Sequence, residues 1–160
     1  MQDECRANHQ SIRVMTINWD HPQPFVMTES VLPEHIDALA HTNNAQYVNW
    51  CMAAAWAHTT ALGLGADSYQ RLDRAMALTR AEYDYLKATH VGDTLLVGTW
   101  ITDWDRRLTM NREVQMVESA SGTTVLRARL QFVCIEISSG KPRRPPAEFV
   151  ARYGPALLNP

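Results

Sequence analysis

A carboxylate, an imidazole, two amides and a phenol are crowded into one run, Asp37-Ala-Leu-Ala-His-Thr-Asn-Asn-Ala-Gln-Tyr47. A carboxylate can take a proton from water or attack a carbonyl carbon directly. The first turn of a helix presents free backbone N–H groups to negative charge. Asp37 would supply the first kind of group and a helix starting at Asn43 the second, near Asn44, Ala45 and Gln46, while His41 would donate a hydrogen bond or orient the loop. On the residues alone the plainer readings stand first. Asp37 caps a loop, His41 bonds to backbone, Asn43 caps the helix and Tyr47 packs.

Other groups that could do chemistry are isolated. Cys5, Cys51 and Cys134 are odd in number and widely spaced, without a CxxC pair, which argues against a disulfide framework and a structural zinc site. Cys51 and Cys134 sit among apolar residues and read as small buried hydrophobes. Glu82 and Asp84 share a strand face, but nothing else supports a sugar cleft, so they read as a solvated face. His9, His21, His35, His58 and His90 are scattered and form no HExxH, so no metal site is expected.

The polar run must be positioned by the helix behind it. Ala45 to Leu62 is rich in helix formers, free of proline and stopped by Gly63, which predicts a helix of about five turns. Asn43 is its N-cap, and Gln46 is placed to complete a capping box. Tyr47, Val48, Trp50, Met52, Trp56 and Leu62 lie on nearly every side, so the helix is expected to be covered on most of them. Gln46, Asn49 and His58 interrupt it too often for a membrane span. Before it, residues 1 to 23 read as a loose lead-in with a short strand at Ser11 to Ile17, and Phe25 to Leu32 as a strand stopped by Pro33. After it, Ser68 caps one or two helical turns ending at Arg74.

From Ala75 the period is two. Thr79, Ala81, Tyr83 and Tyr85 alternate with Arg80, Glu82 and Asp84; Val91-Gly92-Asp93 turns into Thr94 to Trp104. Leu108, Met110, Arg112, Val114 and Met116 form one row of the next strand, and Thr124 to Ile137 is the last long one. Pro142, Pro145 and Pro146 keep the tail irregular. One apolar helix and short-turn strands imply an α+β domain, an antiparallel sheet with the helix against one face. Apolar surface on the other face, Trp100 or Trp104 included, suggests an oligomer. The 160 residues suit one domain with an ordered core over about 25–150. A net charge of -2 gives no support for a nucleic-acid or polybasic membrane footprint, and no signal peptide is read at the start, so the cytoplasm is the expected compartment.

The run His35-Ile-Asp-Ala-Leu-Ala-His-Thr-Asn-Asn-Ala-Gln-Tyr-Val-Asn-Trp50 resembles the loop and helix start of hotdog-fold thioesterases of the 4-hydroxybenzoyl-CoA and long-chain acyl-CoA type. Plant acyl-carrier-protein thioesterases have a similar His-x-Asn-Asn-x-x-Tyr run. The likeness extends through Tyr83-Asp-Tyr-Leu, Gly92-Asp93, Arg112 with Gln115, and Phe132-Val-Cys-Ile with its basic, proline-rich exit, over residues 25 to 148. The resemblance implies a hotdog fold, an antiparallel sheet wrapped around one long central helix, assembled as a homodimer or dimer of dimers with sites at the dimer interface. It also implies that the acid four places before the motif histidine, Asp37, carries the chemistry. Two positions depart from the family pattern: His35 stands where an acid is common, and Ala40 where glycine suits a tight turn.

The activity so implied is hydrolysis of an acyl-CoA or acyl-carrier thioester, without a metal or redox cofactor and with coenzyme A entering only as part of the substrate. Asp37 would act as general base or as nucleophile; His41 and Asn44 would donate hydrogen bonds or orient the loop. Asn43, Ala45, Gln46 and Tyr47 would line the thioester, and Cys51 would help limit the acyl chain. Arg143 and Arg144, with Lys141, would meet the phosphates of coenzyme A, unless they form a solvated tail. Ala53 to Ala55 would leave room for the chain or let the sheet approach. Two rivals remain: an acyl-thioester hydratase or dehydratase on the same fold, and a non-catalytic acyl-CoA binding protein.

Overall fold

The computed structural model describes residues 16–158. Five strands form one antiparallel sheet: β1 (Phe25–Ser30), β2 (Arg74–Tyr85), β3 (Thr94–Trp104), β4 (Thr109–Glu118) and β5 (Thr123–Glu136). Their spatial order is β1-β3-β4-β5-β2. Helix α1 (Asn44–Ala61) lies against the concave face, and two short helices, α2 (Ala66–Leu72) and α3 (Ala147–Tyr153), close one end. The architecture is the α+β hotdog fold, with the sheet curved around one long helix.

The helix forms where its residues predict it. Asn43 is the N-cap, accepting the Ala45 N–H on its side chain at 2.9 Å. Gln46 does not complete a capping box: the Asn43 N–H is already taken by the His35 carbonyl at 2.8 Å. Tyr47, Trp50, Cys51, Ala54, Ala55 and Thr59 make the buried stripe, at helical spacing. The helix is thus covered on one side rather than on most, with Asn49, Ala53 and Trp56 left exposed. Ala54 and Ala55, at 0% and 5% exposure, let the sheet approach closely.

Strand alternation sets the sheet's inner row. Leu95 and Val97 of β3, Val114 and Met116 of β4, and Leu126, Ala128 and Leu130 of β5 pack with the helix stripe in one cluster. Each large side chain so buried stabilises the fold by about 1.5–3 kcal/mol. Glu82 and Asp84 stand exposed on β2, as their period requires.

Four further expectations are corrected. The first strand ends at Ser30, and Pro33–His35 forms a 3-10 turn instead. Helix α2 begins at Ala66 after Gly65, so Ser68 lies inside it and bonds back to the Gly63 carbonyl rather than capping. The tail is not irregular throughout, because α3 starts directly after Pro146. Its Phe149 and Tyr153 are fully buried in a second cluster with Leu64, Tyr69, Ile101, Trp104, Met110 and Cys134. Trp104 therefore belongs to the interior.

The fourth correction concerns the sheet's outer face. Residues 18–22 are not loose but form a strap across it. Trp19 packs edge-on against Trp100 with centroids 5.9 Å apart. The Trp100 indole donates to the Pro22 carbonyl at 2.9 Å. Asp20 grips Arg127 through two bonds of 2.6 and 2.8 Å, and that guanidinium holds the Asp20 carboxyl below the usual carboxylate range. His21 meets Glu113 at 2.7 Å, and Gln115 bonds both Asp20 N and Asn18 O. Trp100, only 4% exposed, offers no surface to a partner. The expected strand at Ser11 to Ile17 lies almost wholly outside the described residues, as does Cys5.

Candidate active site

Residues 35–43 fold into a tight hairpin that delivers the chain to the N-terminus of α1. Ile36 bridges Thr42, the Asp37 N–H donates to the His41 carbonyl at 2.8 Å, and Asn43 N–H donates to His35 O. The hairpin turns through Ala40 at φ +61°, a conformation in which an alanine is strained and a glycine is not. The departure read in the sequence at this position is therefore a real local cost.

The turn is organised by the acid itself. Asp37 Oδ1 accepts the backbone N–H of Leu39 at 2.8 Å and of His41 at 3.3 Å. Oδ2 has no partner among the described residues, which leaves one oxygen of a half-buried carboxylate free for water or substrate. The loop-capping and the chemical reading of Asp37 are thus compatible, one on each oxygen. The His41 side chain is exposed and meets His90 edge-on with centroids 5.3 Å apart; it makes no bond to the acid.

The helix start has one donor to spare. Ala45 N–H goes to the Asn43 side chain, and Gln46 N–H to the Asn43 carbonyl at 2.9 Å. The Asn44 N–H alone of these three has no partner among the described residues, and it sits at the positive end of an eighteen-residue helix. Asn44 O meanwhile accepts the Tyr85 hydroxyl at 3.2 Å, tying the helix start to the end of β2.

Tyr47 packs rather than lining open space. It is 3% exposed, and its hydroxyl is committed to the segment before β3. Thr42 donates to the Thr89 carbonyl at 3.1 Å, so Thr89 must donate to Thr42 Oγ1 at 2.7 Å and Tyr47 to Thr89 Oγ1 at 2.8 Å. This chain of hydroxyls pins residues 86–90 beside the hairpin. The contacts of Thr42, Thr89 and His90 at this site were not legible in the sequence because their partners are more than forty residues away. Cys51 is fully buried one turn further on, and burial pushes its thiol up to about 12, which removes it as a nucleophile.

Arg143 and Arg144 do not meet the hairpin within one protomer. Arg143 lies 3.6 Å from Glu136, and the Arg144 carbonyl accepts from Arg74 at the start of β2. Asn44 is bonded to Tyr85 at the other end of that strand, roughly 35 Å away at the usual strand rise. Lys141 is exposed beside them.

Neither the 340 Å³ depression on the outer sheet face nor an 80 Å³ cavity under α2 and α3 is lined by Asp37, His41 or Asn44. Instead the hairpin end of the molecule carries exposed apolar side chains, Leu39 at 76%, Val91 at 54% and Leu86 at 51%. Among the described residues there is no cluster of three or more His, Cys, Asp or Glu that could hold a metal, and no helix is long and apolar enough to cross a membrane.

The fold has many solved relatives. A 1,4-dihydroxy-2-naphthoyl-CoA thioesterase from Synechocystis superposes with a TM-score of 0.73 at 21% identity, covering 81% of this chain and 95% of that one. A Staphylococcus aureus protein solved in complex with CoA gives 0.79 at 20% identity, with 89% of each chain covered. The 12:0-ACP thioesterase from Umbellularia californica gives 0.74 at 19%, covering 83% of this chain and 53% of its own. No curated protein matches in sequence. The model of the thioesterase-like superfamily matches residues 31–153, from just after β1 to the end of α3, and the chain belongs to that superfamily.

Proposed function

We propose that the protein hydrolyses an acyl-CoA thioester to the free acid and coenzyme A. The observation that carries this reading is the hairpin itself. Among the described residues it holds a carboxylate by one oxygen, leaves the other free, and ends two residues beyond His41 at a helix whose Asn44 N–H is unclaimed. Asp37 would activate a water or attack the carbonyl carbon, and the Asn44 N–H would receive the charge that develops on the thioester oxygen. A thiolate is a good leaving group, so the chemistry asks for no metal or redox group. His41 orients the turn through its backbone, while Asn43, Ala45 and Gln46 shape the helix start.

The protomer alone does not enclose the thioester, so the reading includes a second copy. Two features support that: the exposed apolar collar at Leu39, Leu86 and Val91, and the long edge strand β2, whose outer backbone groups are free to pair. Arg143 and Arg144 could reach phosphates at this hairpin only from the other subunit. The thioesterases and the CoA complex among the structural neighbours agree with the substrate class.

A panel of acyl-CoA thioesters, aliphatic and aromatic, assayed for released thiol tests the reading. Addition of water to enoyl-CoA is measured beside it. Thiol release without hydration is the expected result; hydration without thiol release would move the protein to the hydratase class, and binding without either would make it a carrier.

A further inference from the structure

Arg112 occupies the inner row of β4, between Met110 and Val114, where every neighbour in the row is apolar. It is 3% exposed and makes no ion pair among the described residues. A buried cation without a carboxylate costs several kcal/mol of desolvation. Two of its five N–H bonds are used: Nη2 donates to Thr59 Oγ1 at 2.9 Å and Nη1 to His58 Nδ1 at 3.1 Å. A guanidinium accepts nothing, so His58 must be the acceptor, with its proton on Nε2. Tyr153 sets its ring face 5.9 Å from the guanidinium carbon, but the hydroxyls around the cluster spend their hydrogens on one another. Tyr153 donates to Thr59 at 3.2 Å, and Tyr69 in turn bonds Tyr153 at 2.6 Å. Thr59 therefore receives two hydrogens and keeps its own without a partner among the described residues. Among the described residues the cluster has a positive charge, spare donors and no anion.

Beside it lies a cavity of about 80 Å³ whose lining combines the polar Arg112, Thr59, Tyr69 and Tyr153 with the apolar Met52 and Met76. One water needs only about 10–15 Å³ of such space, so there is room for a small polar head on a short apolar stem. Two of its lining residues on α1, Trp56 and Met52, are not fully covered.

We propose that this cavity binds a carboxylate carried on an alkyl stem, with Arg112 and Thr59 holding the head and the methionines the stem. A planar guanidinium with three N–H bonds unused among the described residues suits that head, and the carboxylate oxygens would supply the acceptors those bonds lack. The carboxylate could belong to a free acid or to the far end of an acyl group on coenzyme A. The site stands independently of the hydrolytic reading, since binding is measured without turnover.

The test is thermal unfolding in sodium hexanoate, with hexanol and hexylammonium chloride as controls, on the parent, Arg112→Met and Met52→Phe. The first variant removes the charge and the second fills the cavity while leaving the charge. Hexanoate at about a hundred times its Kd should raise the parent Tm by about 5 °C or more. It should leave the Tm of both variants unmoved, and the controls should not act. Isothermal titration of Asp37→Asn with ω-carboxyacyl-CoA and plain acyl-CoA of equal length separates the two sources. If the acyl tail is the natural ligand, the carboxyl form binds at least tenfold more tightly, and Arg112→Met abolishes the difference. The proposal is overturned if hexanoate acts no more than hexanol and the two thioesters bind alike, or if Arg112→Met responds as the parent does.

Discussion

Replacing Gly98 by alanine probes the strap without touching α1 or the Asp37 hairpin. A Cβ at this position would stand 2.6 Å from Trp19 Cζ3 and 3.0 Å from Cε3, about 1 Å inside ordinary contact. The indole cannot simply slide away, because the chain on either side of it is bonded to the sheet. Asn18 O takes Gln115 Nε2 at 3.1 Å, and Asp20 N donates to Gln115 Oε1 at 2.8 Å. Moving the ring by about 1 Å stretches those bonds past useful length, or tilts Trp19 off Trp100. One or two hydrogen bonds at about 1 kcal/mol each, or overpacking at about 1–3 kcal/mol, give a loss near 2 kcal/mol. For a chain of this size that lowers Tm by roughly 4–8 °C. Scanning calorimetry reads the loss, and tryptophan emission reads the exposure of Trp100. The same substitution in a Trp19→Ala background should be nearly silent, because the clash is gone. An equal loss in both backgrounds would show that the glycine is required by β3 itself and that the strap reasoning is wrong.

Thr89→Val keeps the shape but breaks the hydroxyl chain, leaving the Tyr47 proton without an acceptor in a fully buried site. A loss of about 1–3 kcal/mol is expected by denaturant titration, and no loss would mean the chain is not formed. Stability should also respond to His58, whose imidazole is held down to about 4 by burial and by the Arg112 charge. Between the unfolded value of 6.5 and about 4 the unfolded chain binds the proton and the folded one does not, so stability falls as pH falls through that window. His58→Gln should flatten Tm over this range; an unchanged slope would place the titration elsewhere.

Much of the fold was legible because periodicity and burial coincide. The rows of β4 and β5, the stop at Gly63 and the Asn43 cap all follow from local residues, and even the burial of Arg112 is implied by its row. The strap was not legible, since residues 16–24 carry no period and are held by partners such as Glu113, Gln115 and Arg127 nearly a hundred residues on. Helix α3 was hidden by Pro145 and Pro146, read as breakers although a proline just before a helix needs no N–H to give; Phe149 and Tyr153, four apart, were the available signal. The hairpin could be placed from the Asp37 to Asn44 run. The freedom of Asp37 Oδ2 and of the Asn44 N–H could not, because both depend on which neighbours happen to claim the other donors and acceptors.

Asp37→Asn tests the catalytic assignment most directly. The amide oxygen can still accept from Leu39 and His41, so the turn and Tm should be preserved. Acyl-CoA binding, followed by isothermal titration, should persist, while kcat for thiol release should fall at least about 10²-fold, the scale of a lost general base. A variant that folds, binds and releases thiol as fast as the parent would remove Asp37 from the chemistry.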